Sequence, residues 1–245
     1  MKTYIVAYGG SIVIPGKTYD HVALENLANI VIDNPEKQFV FVIGGGKICR
    51  NALDELSELL DVALADDQGL MPFAKDEIGI GFTKINAHYT RRWLANKLGT
   101  DRVYENIVSN PALLPKTDKQ VIIASGFKPG VSTDYIMMHL AEQAQADSAY
   151  KISNFPVVLN VKPEDFKVEN MASYKPLYES TWQGIVNLVG DTFKAGGNYP
   201  LDPPSAALGL KLLNTFPAFK LYIGQKEQFE SMLKDESFVG TVIKN

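Results

Sequence analysis

The stretch from Gln38 to Leu53 restricts the fold of this chain more than any other. Phe39-Val40-Phe41-Val42-Ile43 is apolar on both faces, as a central parallel strand covered by helices must be. Gly44-Gly45-Gly46 follow directly, and Lys47-Ile48-Cys49-Arg50-Asn51-Ala52-Leu53 reads as the opening of a helix. A helix N-terminus carries partial positive charge and unpaired N–H groups, so Lys47 and Arg50 in a first turn are disfavoured unless an anion sits beside them. Glycines let the backbone approach such an anion, and strand, glycine turn and helix N-terminus together make a phosphate site. A tight turn flanked by two solvated cations would leave the same signature.

The same junction occurs twice more. Tyr4-Ile5-Val6-Ala7-Tyr8 runs into Gly9-Gly10-Ser11, and His21 to Ile32 then has the apolar spacing of a crossover helix, which completes a βαβ unit with the strand at Phe39. Further on, Val121-Ile122-Ile123-Ala124 leads into Ser125 to Asp134 and a helix over Tyr135 to Gln145. Ser132 and Thr133 at that helix start can cap it or bind phosphate, and Asp134 reads equally as a first-turn acid that satisfies the helix dipole. Parallel sheets bind ligands beyond the carboxyl ends of their strands, so three such turns on one edge describe a pocket for two phosphorylated ligands.

The remaining pattern is coarser. Asn51 to Leu64 is an amphipathic helix expected to pack on the sheet or on a second subunit. Gly69 to Lys75 reads as a loop, with Asp76 as the N-cap of a helix reaching about Leu98. Strands are expected at Tyr104–Val108, Ala149–Asn154, Val157–Val161, Lys220–Gly224 and Gly240–Ile243. Helices are expected at Thr181–Val189, Ser205–Asn214 and Gln228–Lys234, with a loop from Lys194 to Pro204. This alternation specifies a three-layer αβα sandwich around an open, mainly parallel sheet.

Composition removes several classes of function. A net charge of −4 over 245 residues leaves no basic stripe to displace counterions from nucleic acid. An anionic small molecule must then be held by a few local cations. The single Cys49 rules out an internal disulfide framework and fits the reducing cytoplasm, and no apolar run is long enough to span a bilayer. The three histidines, His21, His88 and His139, have no metal-ligand spacing.

In order and spacing, Gly9-Gly10-Ser11, Gly44-Gly45-Gly46-Lys47 with Arg50, Asp76 with Ile78-Gly79-Ile80, Asn86-Ala87, Gly126 to Asp134, Lys194-Ala195-Gly196, Asp202-Pro203 and Gly240-Thr241 resemble the amino acid kinase family. Within it they are most similar to the archaeal-type uridylate kinases, over nearly the whole chain. The resemblance implies transfer of the γ-phosphate of ATP to a nucleoside monophosphate, UMP to UDP first among them, in pyrimidine metabolism. It implies an acceptor lobe over residues 1–145 and a donor lobe over 146–245 that share one sheet, in a dimer or hexamer. Gly9, Gly10 and Ser11 would hold the ATP phosphates, with Gly46, Arg50 and Ser153 on the same donor side. Gly45 would take the acceptor phosphate and Asp76 its ribose hydroxyls, while Gly126, Phe127, Lys128, Pro129, Gly130, Val131, Ser132 and Thr133 wrap the acceptor. Asp134 would organise the cations around the transferring group, and Mg²⁺ would arrive with ATP.

The chain departs from the family in two places. Bacterial members have a lysine where Ala7 stands, and archaeal-type members also lack it, which makes Lys47 and Arg50 the expected catalytic cations. Where the family reads Thr-Asn-Val-Asp-Gly-Val-Tyr around the adenosine, this chain reads Ser153-Asn154-Phe155-Pro156-Val157-Val158-Leu159, and Lys162 replaces the Asp that follows. A nucleotide or oxyanion storage protein on the same fold and a kinase for another small acceptor are the alternatives.

Overall fold

The computed structural model describes residues 1–64, 67–192 and 199–245, so the Lys194-Ala195-Gly196 segment lies outside the described residues. In chain order, β1 (Lys2–Tyr8) leads through α1 (Gly10–Val13) and α2 (His21–Asp33) to β2 (Lys37–Ile43). Two helices, α3 (Gly46–Ala63) and α4 (Met71–Leu98), precede β3 (Val103–Val108) and β4 (Val121–Ala124), and α5 (Thr133–Gln143) then leads to β5 (Ser148–Ile152). The second half contains β6 (Val158–Leu159), β7 (Pro176–Leu177), β8 (Glu179–Thr181), α6 (Trp182–Val189), α7 (Pro203–Leu212), β9 (Lys220–Gly224), α8 (Phe229–Leu233) and β10 (Gly240–Lys244).

Eight strands form one sheet in the order β3-β4-β2-β1-β5-β9-β10-β8, and β6 and β7 make a separate hairpin. Within the large sheet the β9–β10 pair is antiparallel and every other pair is parallel. The expected αβα sandwich is therefore present, and its sheet runs continuously from the first half of the chain into the second. Strand alternation sends Val6, Tyr8, Phe39, Phe41 and Ile43 to the face covered by α2, α4 and α8. Ile5, Ala7, Val40 and Val42 go to the face covered by α5, α6 and α7. Central strands buried on both sides explain why Phe39–Ile43 carries no polar residue.

Two expectations need correction. Residues 71–75 are helical: α4 starts at Met71, with Pro72 in its first turn, where a fixed φ and a missing N–H do no harm. Asp76 is consequently inside the helix and not its cap. The amphipathic α3 packs chiefly on α4 and α1 rather than on the sheet, the first of the two places expected for it, and its buried residues are Gly46 and Cys49. The hydrophobic stripe read from its sequence is spread over partly covered positions, with Leu59 and Val62 exposed.

Candidate active site

The site lies where the chain reverses its direction of travel across the sheet. From β1 the chain moves outward to β2 and on to the edge strand β3, comes back to β4 between them, and then crosses to β5 on the other side of β1. The carboxyl ends of β1 and β5 flank this switch point, the customary position for ligands in such sheets. Gly9, Gly44 and Ser125-Gly126 follow directly on β1, β2 and β4, which are parallel neighbours, so the three turns share one edge.

Two of these turns interlock. A methyl group placed on Gly10 would stand 2.2 Å from the Gly46 nitrogen and 2.5 Å from the Gly44 carbonyl carbon. Only a residue without Cβ permits this approach, and Gly46 itself has φ +73°. The Lys47 N–H donates to the Ile14 carbonyl (3.1 Å), which ties α3 to the end of α1. No side chain caps the start of α3.

One stripe of α4 supports the turns from outside the cavity. Asn86, 1% exposed, donates through its amide nitrogen to the carbonyls of Gly44 and Gly45, both at 2.9 Å. Those carbonyls are thus turned to α4, away from any incoming phosphate. Thr83 accepts from the Gly126 N–H (2.9 Å), and Asp76 accepts from the Gly130 N–H (2.7 Å). Residues 76, 83 and 86 recur at near-integral helical turns, so one face meets both glycine-bearing turns.

A cavity of about 340 Å³ opens between these turns. Gly9, Gly10 and Ser11 line it from β1, Gly44, Gly45, Gly46 and Arg50 from β2 and α3, and Ser132, Thr133 and Asp134 from the start of α5. Lys151 and Ser153 contribute from β5, and Asp202 from the start of α7. Arg50 donates to the Ser11 hydroxyl (3.1 Å), joining the first two turns. Ser132 caps α5 by accepting from the Tyr135 N–H (3.1 Å), and its hydroxyl donates to Asp202. Asp202 in turn caps α7, accepting from the Ser205 N–H (3.0 Å) and hydroxyl (2.7 Å).

Asp134 stands in the first turn of α5, as expected, with Ser132 as the cap. Its carboxylate receives the ammonium of Lys151, with the two side chains only 15% and 13% exposed. Burial pushes the Asp134 carboxyl above the ordinary carboxylate range; the Lys151 charge pulls it back, and the Asp202 charge raises it further. Lys151 is the cation that sequence reading missed. The available signal was a single charged residue inside an otherwise apolar strand, Ala149-Tyr150-Lys151-Ile152, ending at the same edge as the glycine turns.

The other expected site residues are distributed as follows. Lys47 is exposed and is not part of the cavity lining among the described residues. Gly126, Phe127, Lys128, Pro129, Gly130 and Val131 form the connection from β4 to α5, beside the cavity and not in its lining. Phe127 and Val131 pack half-buried on the core, with the Lys128 ammonium 5.6 Å from the Phe127 ring centre. Asp76 is at this loop as well, through Gly130. Among the described residues no group of three or more His, Cys, Asp or Glu side chains is placed to hold a metal ion.

Glycine turns, an uncapped helix start, the exposed Arg50 and the buried Lys151 at a switch point suit a chain of phosphates. The family model described as "Amino acid kinase family" matches residues 2–208. The chain belongs to the amino acid kinase family. Among relatives, it is 28% identical to a uridylate kinase of Natronomonas pharaonis over 204 residues, covering 81% of this chain and 80% of the relative. It is 29% identical to a uridylate kinase of Methanobrevibacter smithii over 198 residues, covering 80% and 79%. A uridylate kinase of Methanocorpusculum labreanum is 24% identical over 253 residues, covering 100% and 97%. Among solved structures, uridylate kinase from Archaeoglobus fulgidus superposes with a TM-score of 0.72 at 24% identity, covering 99% of this chain and all of the other. UMP kinase from Bacillus anthracis gives 0.67 at 19% identity, covering 99% and 96%. These two likenesses speak to the fold.

Proposed function

We propose that this member of the amino acid kinase family transfers the γ-phosphoryl group of ATP to UMP, giving ADP and UDP. The observation that carries the reading is the interlocked pair of glycine turns at the ends of β1 and β2, with Arg50 and the Asp134–Lys151 pair lining the cavity between them. The relatives reported above, named uridylate kinases, support UMP as acceptor. Phosphoryl transfer asks a protein mainly to align two phosphates and to place positive charge on the group in transit.

In this reading Gly9, Gly10 and Ser11 hold the β- and γ-phosphates of ATP, with Gly46, Arg50 and Ser153 beside them. Gly45 takes the UMP phosphate, the 126–133 segment wraps the nucleoside, and Asp76 accepts from the ribose hydroxyls after exchanging its bond to Gly130. Residues 1–145 then form the acceptor side and 146–245 the donor side of one sheet. Mg²⁺ would be held chiefly by the triphosphate and water, as this ion usually is. That suits a cavity whose two carboxylates are already engaged, Asp134 by Lys151 and Asp202 by serines. The protein works in the cytoplasm, and self-association uses the side of α3 and α4, where Leu59, Val62, Phe73 and Ile85 are exposed.

A coupled assay for ADP release across a panel of acceptors tests the function. Release that requires UMP, and is weaker with CMP, GMP, isopentenyl phosphate or amino acids, is the expected result. The altered 153–162 loop favours a second reading, a nucleotide- or oxyanion-binding protein without turnover. Tight UMP binding with no ADP release from any acceptor would establish it.

A further inference from the structure

A charged residue on a strand buried on both faces requires an explanation. The β5 strand pairs with β1 on one side and β9 on the other, and its residues Ala149, Tyr150 and Ile152 are buried and apolar. Lys151 interrupts that run. In the parallel register Lys151 stands opposite Ala7, and strand alternation puts both on the face covered by α5 and α7. The short Ala7 side chain leaves room beside it, and both residues line the cavity.

A buried ion pair contributes little to stability, because desolvating two charges offsets most of their attraction, and apolar residues of similar volume do as well or better. Stability therefore gives no reason for Lys151 and Asp134 to replace two hydrophobic side chains here. The pair differs from a structural one in having an open side. An ammonium has three N–H donors, and Asp134 is its one hydrogen-bond partner among the described residues. The others are left for whatever enters the cavity. Its stem is fixed in the sheet and its head is held by Asp134, so the charge is already in place before a ligand arrives. Arg50, the other cation in the described lining, is exposed and is held by the Ser11 hydroxyl at the mouth of the first turn.

We propose that Lys151 is the catalytic cation of this enzyme, contacting the oxygens of the phosphoryl group in transit, with Asp134 as the residue that positions it. The assignment rests on the phosphoryl-transfer reading above. In the step, an oxygen of the acceptor monophosphate forms a bond to the γ-phosphorus as the bond from that phosphorus to the β–γ bridging oxygen breaks. ADP leaves with the electron pair. Lys151 donates N–H bonds to the non-bridging oxygens, which carry the most charge midway. Preorganised donors of this kind act in the transition state more than in the ground state.

The test compares the wild type with Lys151→Met, Lys151→Gln and Lys151→Arg, using UMP-dependent ADP release and calorimetric binding of ADP with UMP, with and without aluminium fluoride as a mimic of the planar phosphoryl group. Lys151→Gln keeps a donor for Asp134 and decides the matter if Lys151→Met does not fold. The expected result is a loss of about 10²-fold or more in kcat for both uncharged variants, with the KM for UMP little changed. Both should bind ADP as the wild type does and lose the extra tightening by aluminium fluoride, and Lys151→Arg should recover part of both. Turnover by a folded uncharged variant within about threefold of the wild type would overturn the assignment and leave the kinase reading standing. A wild-type protein without monophosphate-dependent ADP release would instead overturn the kinase reading, and this assignment with it.

Discussion

At the scale of single residues the site is decided by what stands beside Asp134 and Gly10. Asp134 is raised by burial, partly offset by Lys151, so its contribution to stability is fully present below the ordinary carboxylate range and is lost as pH rises through the raised value. Activity runs the other way, since only the ionised carboxylate holds Lys151. The acid limb of the kcat profile should therefore lie above the ordinary carboxylate range. In Asp134→Asn, which keeps shape and deletes the charge, turnover should fall about 10²-fold and that limb should disappear; an unchanged pH–rate profile would remove Asp134 from the mechanism. Gly10 makes a steric claim of equal sharpness. With neighbouring backbone atoms 2.2 and 2.5 Å from an added methyl, Gly10→Ala must separate the two glycine turns, at a cost of about 3 kcal/mol or more in urea unfolding and with loss of turnover. Gly81 is the internal comparison, because a methyl there meets nothing within 4 Å and lies inside α4. Gly81→Ala should stabilise the protein by about 0.5–1 kcal/mol.

At the scale of elements, α4 ties together the turns that follow β2 and β4. Its stripe of Asp76, Thr83 and Asn86 reaches Gly130, Gly126 and the Gly44–Gly45 pair. Asp76→Ala should raise the KM for UMP about tenfold and narrow the difference between UMP and its 2′-deoxy analogue, as expected for loss of a charged hydrogen-bond acceptor. An unaltered KM would leave Asp76 as a tether for the loop alone. Beside α4 on the same face of the sheet, Asp20 caps α2, accepting from the Ala23 N–H (3.0 Å), and also pairs with Lys226 (3.3 Å). The Ala23 hydrogen bond, aided by Lys226, holds its carboxyl below the ordinary range. Its stabilisation is thus present above that range and is lost as pH falls through the lowered value. Asp20→Ala should cost about 1 kcal/mol at neutral pH, and the gap to wild type should close in acid.

At the scale of the whole molecule, what could be read from the sequence was whatever depends on local pattern. Apolar strands ending in glycine gave the sheet edge, and Phe39–Ile43 gave its centre. The start of α4 is hidden in the sequence because Gly69 and Pro72 punctuate like a loop, whereas proline fits a first turn. Asp134 and Lys151 are 17 residues apart, and their pairing depends on the start of α5 lying over the end of β5, a placement that no local pattern contains. Lys47 and Arg50 look equivalent in the sequence, one helical turn apart, yet only Arg50 lines the cavity. No described helix is long and apolar enough to cross a membrane. The exposed Leu59 and Val62 should make the protein a dimer or larger in sedimentation, and Val62→Glu should shift it towards monomer. The proposed reaction moves the γ-phosphoryl group of ATP onto UMP. ATP labelled at the γ-phosphorus, incubated with Mg²⁺, UMP and the wild-type protein, should yield labelled UDP in one-to-one proportion to ADP; label that stays in ATP, or appears only as free phosphate, would contradict it.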